Sequence, residues 1–222
     1  MYVVLSVAAS LDGYIDDASD ERLLLSNAED FARVDRIRAD ADAILVGANT
    51  IRADDPRLLV RSEQYRRERE AAGRGSSPTK VTVTNGGELN PDARFFTTGE
   101  CAKLVYVGTA AAHATADRLG AAATVVDAGD PVEVHQVLAD LARRGIQRLL
   151  VEGGGEMHTA FLTADLVDEL HLVYAPFFIG DPNAPSFVRA AAFPQSQHRP
   201  MRLLEALPIG DLVLLRYRVR GA

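Results

Sequence analysis

A chain of 222 residues, 47% apolar and 25% charged, has enough material to bury a full core. Its formal net charge of −7 argues against a general nucleic-acid or anionic-membrane binder, since either needs a basic face. Cys101 is the only cysteine, which excludes an internal disulfide and a cysteine-based zinc cluster.

Tyr2 to Ala9 reads as a buried first strand. Its apolar run lacks a positive flank and falls well short of the roughly 20 residues of a membrane span, so a cytoplasmic location is expected. Ser10-Leu11-Asp12-Gly13 is a turn. Ser26-Asn27-Ala28-Glu29 matches a capping box with Ser26 as N-cap, and Phe31, Val34, Ile37 and Arg38 behind it keep helical spacing. Ala43 to Val46 is the next strand. Tyr65 to Ser77, charged and then rich in Gly and Ser, reads as a mobile surface loop, with a frayed helix as the alternative. Lys80 to Thr84 is a strand turned by Asn85-Gly86-Gly87, and Lys103 to Val107 is another. Ala110 to Leu119 is helical, Thr124 to Val126 a short strand, and Val132 to Arg144 a helix ended by Gly145. Arg148 to Val151 is a strand, Glu156 to Leu162 a helix, and Glu169 to Tyr174 a strand stopped by Pro176. Arg202 to Leu207 and Leu212 to Val219 form a hairpin.

Alternating strands and helices followed by terminal strands specify an α/β fold. A mostly parallel central sheet with helices on both faces and a C-terminal antiparallel ribbon is expected, as a single domain over 1–222.

Two places carry chemistry. Val46 to Arg61 follows a buried strand with small residues, a hydroxyl, the carboxylates Asp54 and Asp55, a proline and spaced arginines. Either it is a turn with solvated charges, or Arg38 and Arg61 reach one phosphate, a geometry that suits arginine. Glu152-Gly153-Gly154-Gly155-Glu156 lies between a strand and a helix. It is either a tight turn or a cradle that brings backbone and a helix N-terminus to a pyrophosphate. Neither GxGxxG nor a Walker lysine is present. The histidines (His113, His135, His158, His171, His198) show no metal-ligand spacing and read as surface or satisfied core. The pairs Asp16-Asp17 and Asp168-Glu169 read as solvated faces or caps, and no metal site is expected.

In order along the chain, Ser10-Leu11-Asp12-Gly13, Arg38, Val46-Gly47, Thr50 through Arg61, Glu152-Gly153-Gly154, Val167-Asp168-Glu169-Leu170, Ala175-Pro176 and Gly180 resemble the pyrimidine reductase family of riboflavin biosynthesis. Its fold is similar to that of dihydrofolate reductase. The resemblance implies NADPH-dependent reduction of the ribosyl chain of a phosphoribosylamino-pyrimidine to a ribityl chain, with or without prior deamination of the ring. It implies substrate contacts at Arg38, Thr50, Asp54, Leu58, Arg61 and Glu152. It implies cofactor contacts at Ala8, Thr50, Asp54 and Thr84, and at Gly154, Gly155, Glu156, Met157, His158, Thr159 and Ala160, with Asp54 as the catalytic candidate. The chain looks like a stand-alone reductase, without the Pro-Cys-x-x-Cys motif of the zinc deaminase fused to some members. It departs from the family at Ala18 to Leu25, where Arg22 and Leu24 replace polar and aromatic contacts.

Two other readings remain open: a dihydrofolate-reductase-like paralogue acting on a pterin, folate or other small imine or carbonyl, and a non-catalytic nucleotide binder of the same fold. The terminal ribbon (Leu203, Leu204, Leu207, Leu212, Val213, Leu214, Leu215, Tyr217, Val219) carries more apolar side chains than one sheet face buries. A homodimer is therefore expected, as in the family, with a phosphorylated small molecule as ligand.

Overall fold

Runs such as Ala43-Ile44-Leu45-Val46 and Leu149-Leu150-Val151 are buried along their whole length, the signature of parallel strands covered on both faces. The structure, a computed structural model, describes residues 1–17, 19 and 23–221. The chain runs β1 (Tyr2–Ser10), α1 (Ala28–Asp40), β2 (Ala43–Gly47), α2 (Ala48–Asp54), α3 (Glu63–Ala71), β3 (Thr79–Thr84), α4 (Arg94–Thr97), β4 (Lys103–Val107), α5 (Ala112–Leu119), β5 (Thr124–Asp127), α6 (Val134–Arg143), β6 (Arg148–Gly153), α7 (Gly155–Thr163), β7 (Glu169–Ala175), β8 (Arg202–Ile209) and β9 (Leu212–Arg218). Contacts group it into two compact units, Met1 with Asp35–Leu150, and Tyr2–Val34 with Val151–Ala222. The chain passes from one to the other within α1 and β6.

In the first unit β2, β3, β4 and β5 pair in parallel, with Ile44 opposite Lys80, Val81 opposite Leu104, and Val105 opposite Val125. Two cations are buried here among carbonyl groups. Lys80 is fully buried, and its Nζ donates to the carbonyls of Phe95 (2.9 Å) and Thr98 (2.7 Å). Burial pushes its pKa down to about 8. Arg69, on α3, donates to the carbonyls of Ala39 (2.8 Å), Ala41 (2.7 Å) and Gly75 (2.9 Å).

In the second unit β1 and β7 are parallel, from Val4 opposite Glu169 to Ser10 opposite Ala175. β9 lies antiparallel to β7 and to β8. The mostly parallel pairing and the terminal antiparallel ribbon are thus as expected. Leu25, Val173, Ala175, Ile209, Leu212 and Leu214 form a core cluster, with Ala8, Leu23 and Phe177 packed against it.

Two stretches fold differently from their sequence reading. The cap of α1 is Asn27, not Ser26. Its Oδ1 accepts from Asp30 N (2.9 Å) while its Nδ2 donates to Ile209 O (2.7 Å), so one amide both starts the helix and ties it to the β8–β9 hairpin. The stretch taken as a mobile loop over 65–77 is largely the helix α3, started by Ser62 and anchored by buried Arg69. The divergent stretch 18–25 lies in part outside the described residues, which omit Ala18, Asp20, Glu21 and Arg22.

The pair Asp168-Glu169 is also not a solvated face. Asp168 accepts from Val3 N (2.8 Å) and from Arg220 Nη2 (2.6 Å). Glu169, 5% exposed, accepts from the Tyr2 hydroxyl (2.6 Å), Arg216 Nη2 (2.6 Å) and His171 Nε2 (2.7 Å). With the His171 proton on Nε2, its Nδ1 lone pair faces Arg33 Nη1 at 3.4 Å. Burial works against the Glu169 carboxylate, but these hydrogen bonds hold its pKa down to about 2. Burial pushes His171 down to about 4 despite Glu169.

Both shifts make the fold acid-labile. A histidine whose pKa drops from 6.5 to about 4 on folding contributes stability that is present above 6.5 and lost as pH falls towards 4; Glu169 adds a loss below 4.5. Urea midpoints are expected to rise above pH 8 as buried Lys80 is relieved of its proton, to be flat near pH 7, and to fall steadily between pH 6.5 and 4. His171→Gln, which removes one titrating group, should flatten that slope, and an equal slope in the variant would refute the assignment.

Candidate active site

In the first unit the C-terminal end of β2 passes at Gly47 directly into α2, so Val46 to Arg61 is not one loop; its first half is helical. The four-residue spacing puts Thr50 and Asp54 on the same side of α2. The helix ends at Asp55, whose φ of 41° is left-handed, and Leu58 follows at φ 49° while only 3% exposed. Two non-glycine residues in that region within four positions mark a backbone held by its surroundings. One holding group is Asp55 itself, whose carboxylate accepts from Arg94 N (2.5 Å) and Arg94 Nε (2.9 Å).

The other is Asp35, which the sequence reading missed. Buried on α1, its carboxylate accepts from the backbone N–H of Arg61 (2.6 Å) and of Ser62 (2.7 Å). One helical turn further, Arg38 Nη1 donates to Leu59 O at 3.4 Å. Arg38 and Arg61 therefore belong to one assembly, the end of α1 with the strip 59–62 docked on it. The available signal was the i,i+3 spacing of Asp35 and Arg38, which places a carboxylate and a guanidinium on one helical face. Thr84 ends β3, and its Oγ1 accepts from Gly87 N (3.2 Å), closing the turn over Asn85 and Gly86.

In the second unit Glu152 and Gly153 are the last residues of β6 and Gly154 is the N-cap of α7. Gly154 offers no side chain to cap the first turn of α7. This suits an anion such as a pyrophosphate. Gly153 has a φ of 139°, a conformation that favours glycine. Gly155 is glycine for another reason: a Cβ there would collide with the carbonyl oxygen of Ser186. Thr159 Oγ1 accepts from Arg189 N (2.7 Å), and Ala160 lies in the same helix. Ala8, half-buried in β1, pairs with Val173.

His158 is completely buried, so its side chain is not open to a ligand from solvent. Its Nδ1 lies 2.9 Å from Phe187 O, and its Nε2 finds no hydrogen-bond partner among the described residues. Burial pushes its pKa down to about 4, against the main-chain groups of Phe187 and Glu152 that favour the proton. His113, His135 and His198 are exposed.

Several shared segments prove to be scaffold. Asp12, in the turn after β1, accepts from Gly180 N (2.8 Å), Ile179 N (3.2 Å) and Ser10 Oγ (2.5 Å), while Leu11 N donates to Phe177 O (2.9 Å). The turn at 10–13 and the loop after β7 are thus one fastened piece.

The fold recurs in solved α/β reductase structures. A pyrimidine reductase-like protein from Corynebacterium diphtheriae superposes with a TM-score of 0.84 at 20% identity, covering 100% of this chain and 92% of that one. Acinetobacter baumannii RibD gives 0.76 at 25% identity, covering 98% of this chain and 57% of that one. The RibD C-terminal domain family matches residues 1–215, and the chain belongs to that family. A relative from Archaeoglobus fulgidus is 39% identical over 193 residues, 86% of this chain and 88% of its own length. One from Methanothermobacter thermautotrophicus is 33% identical over 222 residues, 99% of each. Both are named 2,5-diamino-6-ribosylamino-4(3H)-pyrimidinone 5′-phosphate reductase.

The Asp35 clamp has a measurable consequence. Asp35→Ala leaves two backbone N–H groups without their carboxylate, and a loss of about 2–3 kcal/mol in urea denaturation is expected. A midpoint unchanged from the wild type would show that the 61–62 backbone is held by other contacts.

Proposed function

We propose that this protein is a riboflavin-pathway reductase that uses NADPH to convert the ribosyl chain of a phosphoribosylamino-pyrimidine, of the kind its full-length relatives are named for, into a ribityl chain. The observation that supports this reading is the docking of strip 59–62 on α1, with the Arg61 main chain on Asp35 and the Leu59 carbonyl on Arg38. Two guanidiniums on one rigid assembly suit a phosphate monoester dianion. The start of α7, with Gly154 as its N-cap, and its glycine turn suit the cofactor pyrophosphate.

In this reading Arg38 and Arg61 hold the substrate phosphate. The sugar opens to its imine, the nicotinamide supplies a hydride to C1′ when bound, and a proton completes the ribitylamino group. Hydride transfer needs the two carbons held about 3–3.5 Å apart, which is the task of the groups that fix the substrate. Thr50 and Asp54, on one side of α2, take the sugar hydroxyls and favour the cationic iminium electrostatically. Glu152 takes the amino or ring N–H groups of the pyrimidine. We also propose a homodimer through the terminal ribbon, where Leu203, Leu207 and Val213 are 51%, 43% and 43% exposed.

The deciding assay follows NADPH oxidation at 340 nm with the diaminopyrimidine phosphate, its deaminated counterpart and dihydrofolate in parallel. Turnover of a pyrimidine is expected; turnover of dihydrofolate alone would assign the chain to a different acceptor, and NADH oxidised equally well would remove the NADPH preference. Arg38→Ala and Arg61→Ala are each expected to raise KM about tenfold to a hundredfold. With a dephosphorylated substrate the same substitutions should cost little more; equal penalties with and without the phosphate mean that the arginines serve another group. Light scattering at micromolar concentration is expected to give twice the monomer mass, and the monomer mass would overturn the dimer.

A further inference from the structure

One buried group in the second unit is left without a task by this chemistry. The His158 side chain is enclosed on α7, so it cannot reach a ligand, yet it is polar and half-satisfied. It stands where two pieces of chain meet. On one side is the strap Pro185–Arg189, reached through Nδ1–H donating to Phe187 O at 2.9 Å. On the other is the glycine turn, where Nε2 comes within 3.6 Å of the place a Cβ would occupy on Gly153.

The strap touches the first turn of α7 at two more places. Ser186 O presses on Gly155 where any side chain would collide, and Arg189 N donates to Thr159 Oγ1 at 2.7 Å. Its outer side is fixed to the turn after β1, through Ile15 N to Pro185 O (2.8 Å) and Phe187 N to Gly13 O (3.0 Å). The strap is therefore held on both sides, and His158 and Thr159 both link it to the start of α7: Thr159 Oγ1 also donates to Gly155 O at 2.7 Å, while the His158 ring reaches Phe187 O and stands against Gly153.

We propose that His158 is a positioning residue for the cofactor: as a post between the strap and the glycine turn, it fixes the Glu152–Gly154 backbone and the start of α7 in the geometry that receives the cofactor's phosphates. This rests on the reductase reading. An imidazole fits the post because one edge donates to Phe187 O while the other faces the Glu152–Gly153 main chain. A residue with no donor leaves Phe187 O without that bond, and the strap tied to α7 through Thr159 but no longer through residue 158.

The test uses His158→Phe, which keeps a flat ring and loses the donor, His158→Asn, which keeps a donor near the Nδ1 position, and Thr159→Val, which cuts the strap's second hydrogen bond. NADPH dissociation constants are read by fluorescence titration, alongside melting temperatures, substrate KM at saturating NADPH, and limited proteolysis across 185–189. His158→Phe is expected to weaken NADPH about tenfold or more, with substrate KM changed less than about twofold and the strap cut faster. His158→Asn should restore most of the affinity, and Thr159→Val should weaken NADPH in the same direction. A merely structural role would lower the melting temperature of His158→Phe and leave the NADPH affinity of the folded protein unchanged, which overturns the proposal. If His158→Phe does not fold, Thr159→Val decides, and wild-type NADPH affinity in a folded Thr159→Val with a loosened strap overturns it equally. Wild-type protein that binds no NADPH at all would instead sink the reductase reading.

Discussion

Parallel pairing is the constraint on which the rest depends. Strands that run in one direction all finish at the same edge, so the segments leaving them collect there. In the first unit β2 finishes into α2 and β3 into the Asn85–Gly87 turn, while β4 and β5 finish at Gly108 and Ala128. The candidate residues Thr50, Asp54 and Thr84 stand at or just beyond these ends, where the backbone can still be pinned by the core. Asp35 and Asp55 show how the pinning works. Each carboxylate spends its lone pairs on backbone N–H groups of a loop, and Asp55 takes a guanidinium as well. An irregular path that includes Leu58 at a left-handed φ is thereby made rigid enough to present arginines.

Charge buried in this protein is handled in two distinct ways. Around Glu169 a carboxylate, an imidazole and guanidiniums meet, and each polar atom finds a complementary one. Such a network adds little net stability over apolar packing, but it makes any partial version of itself costly, so it fixes a single arrangement of β1, β7 and β9. Lys80 and Arg69 donate to main-chain carbonyls instead, whose dipoles are numerous wherever helices and strands end.

Most strands were legible in the sequence because burial on both faces writes itself as continuous apolar runs, as in β2, β4 and β6, while β3 was legible from its alternation of Val with Thr. The start of α1 was off by one residue because Ser26 and Asn27 are equally good caps locally, and only the distant Ile209 carbonyl separates them. The helix α3 was hidden because its stability comes from Arg69 reaching carbonyls some thirty positions earlier in the chain, a contact that composition reads as surface charge. At the candidate site Arg38 and Arg61 were visible as residue types, but Asp35, which brings the strip to the helix, looks in sequence like any helical carboxylate. The glycine cluster was ambiguous for a good reason: Gly155 answers to the strap, while Gly153 and Gly154 shape the turn.

Lys80 and Lys103 are the only lysines in the sequence. Because Lys80 is sealed beneath the Phe95–Thr98 carbonyls, amine-directed reagents meet only Lys103 and the amino terminus on the intact protein. Acylation of Lys80 requires the segment 95–98 to lift away; burial is what lowers its pKa, so the uncovered amine regains its ordinary basicity and is modified faster as pH rises. The chain thus carries its own chemical clock for local opening at one end of β3. Peptide mapping of the rate at which Lys80 is modified would time that opening without any engineered label.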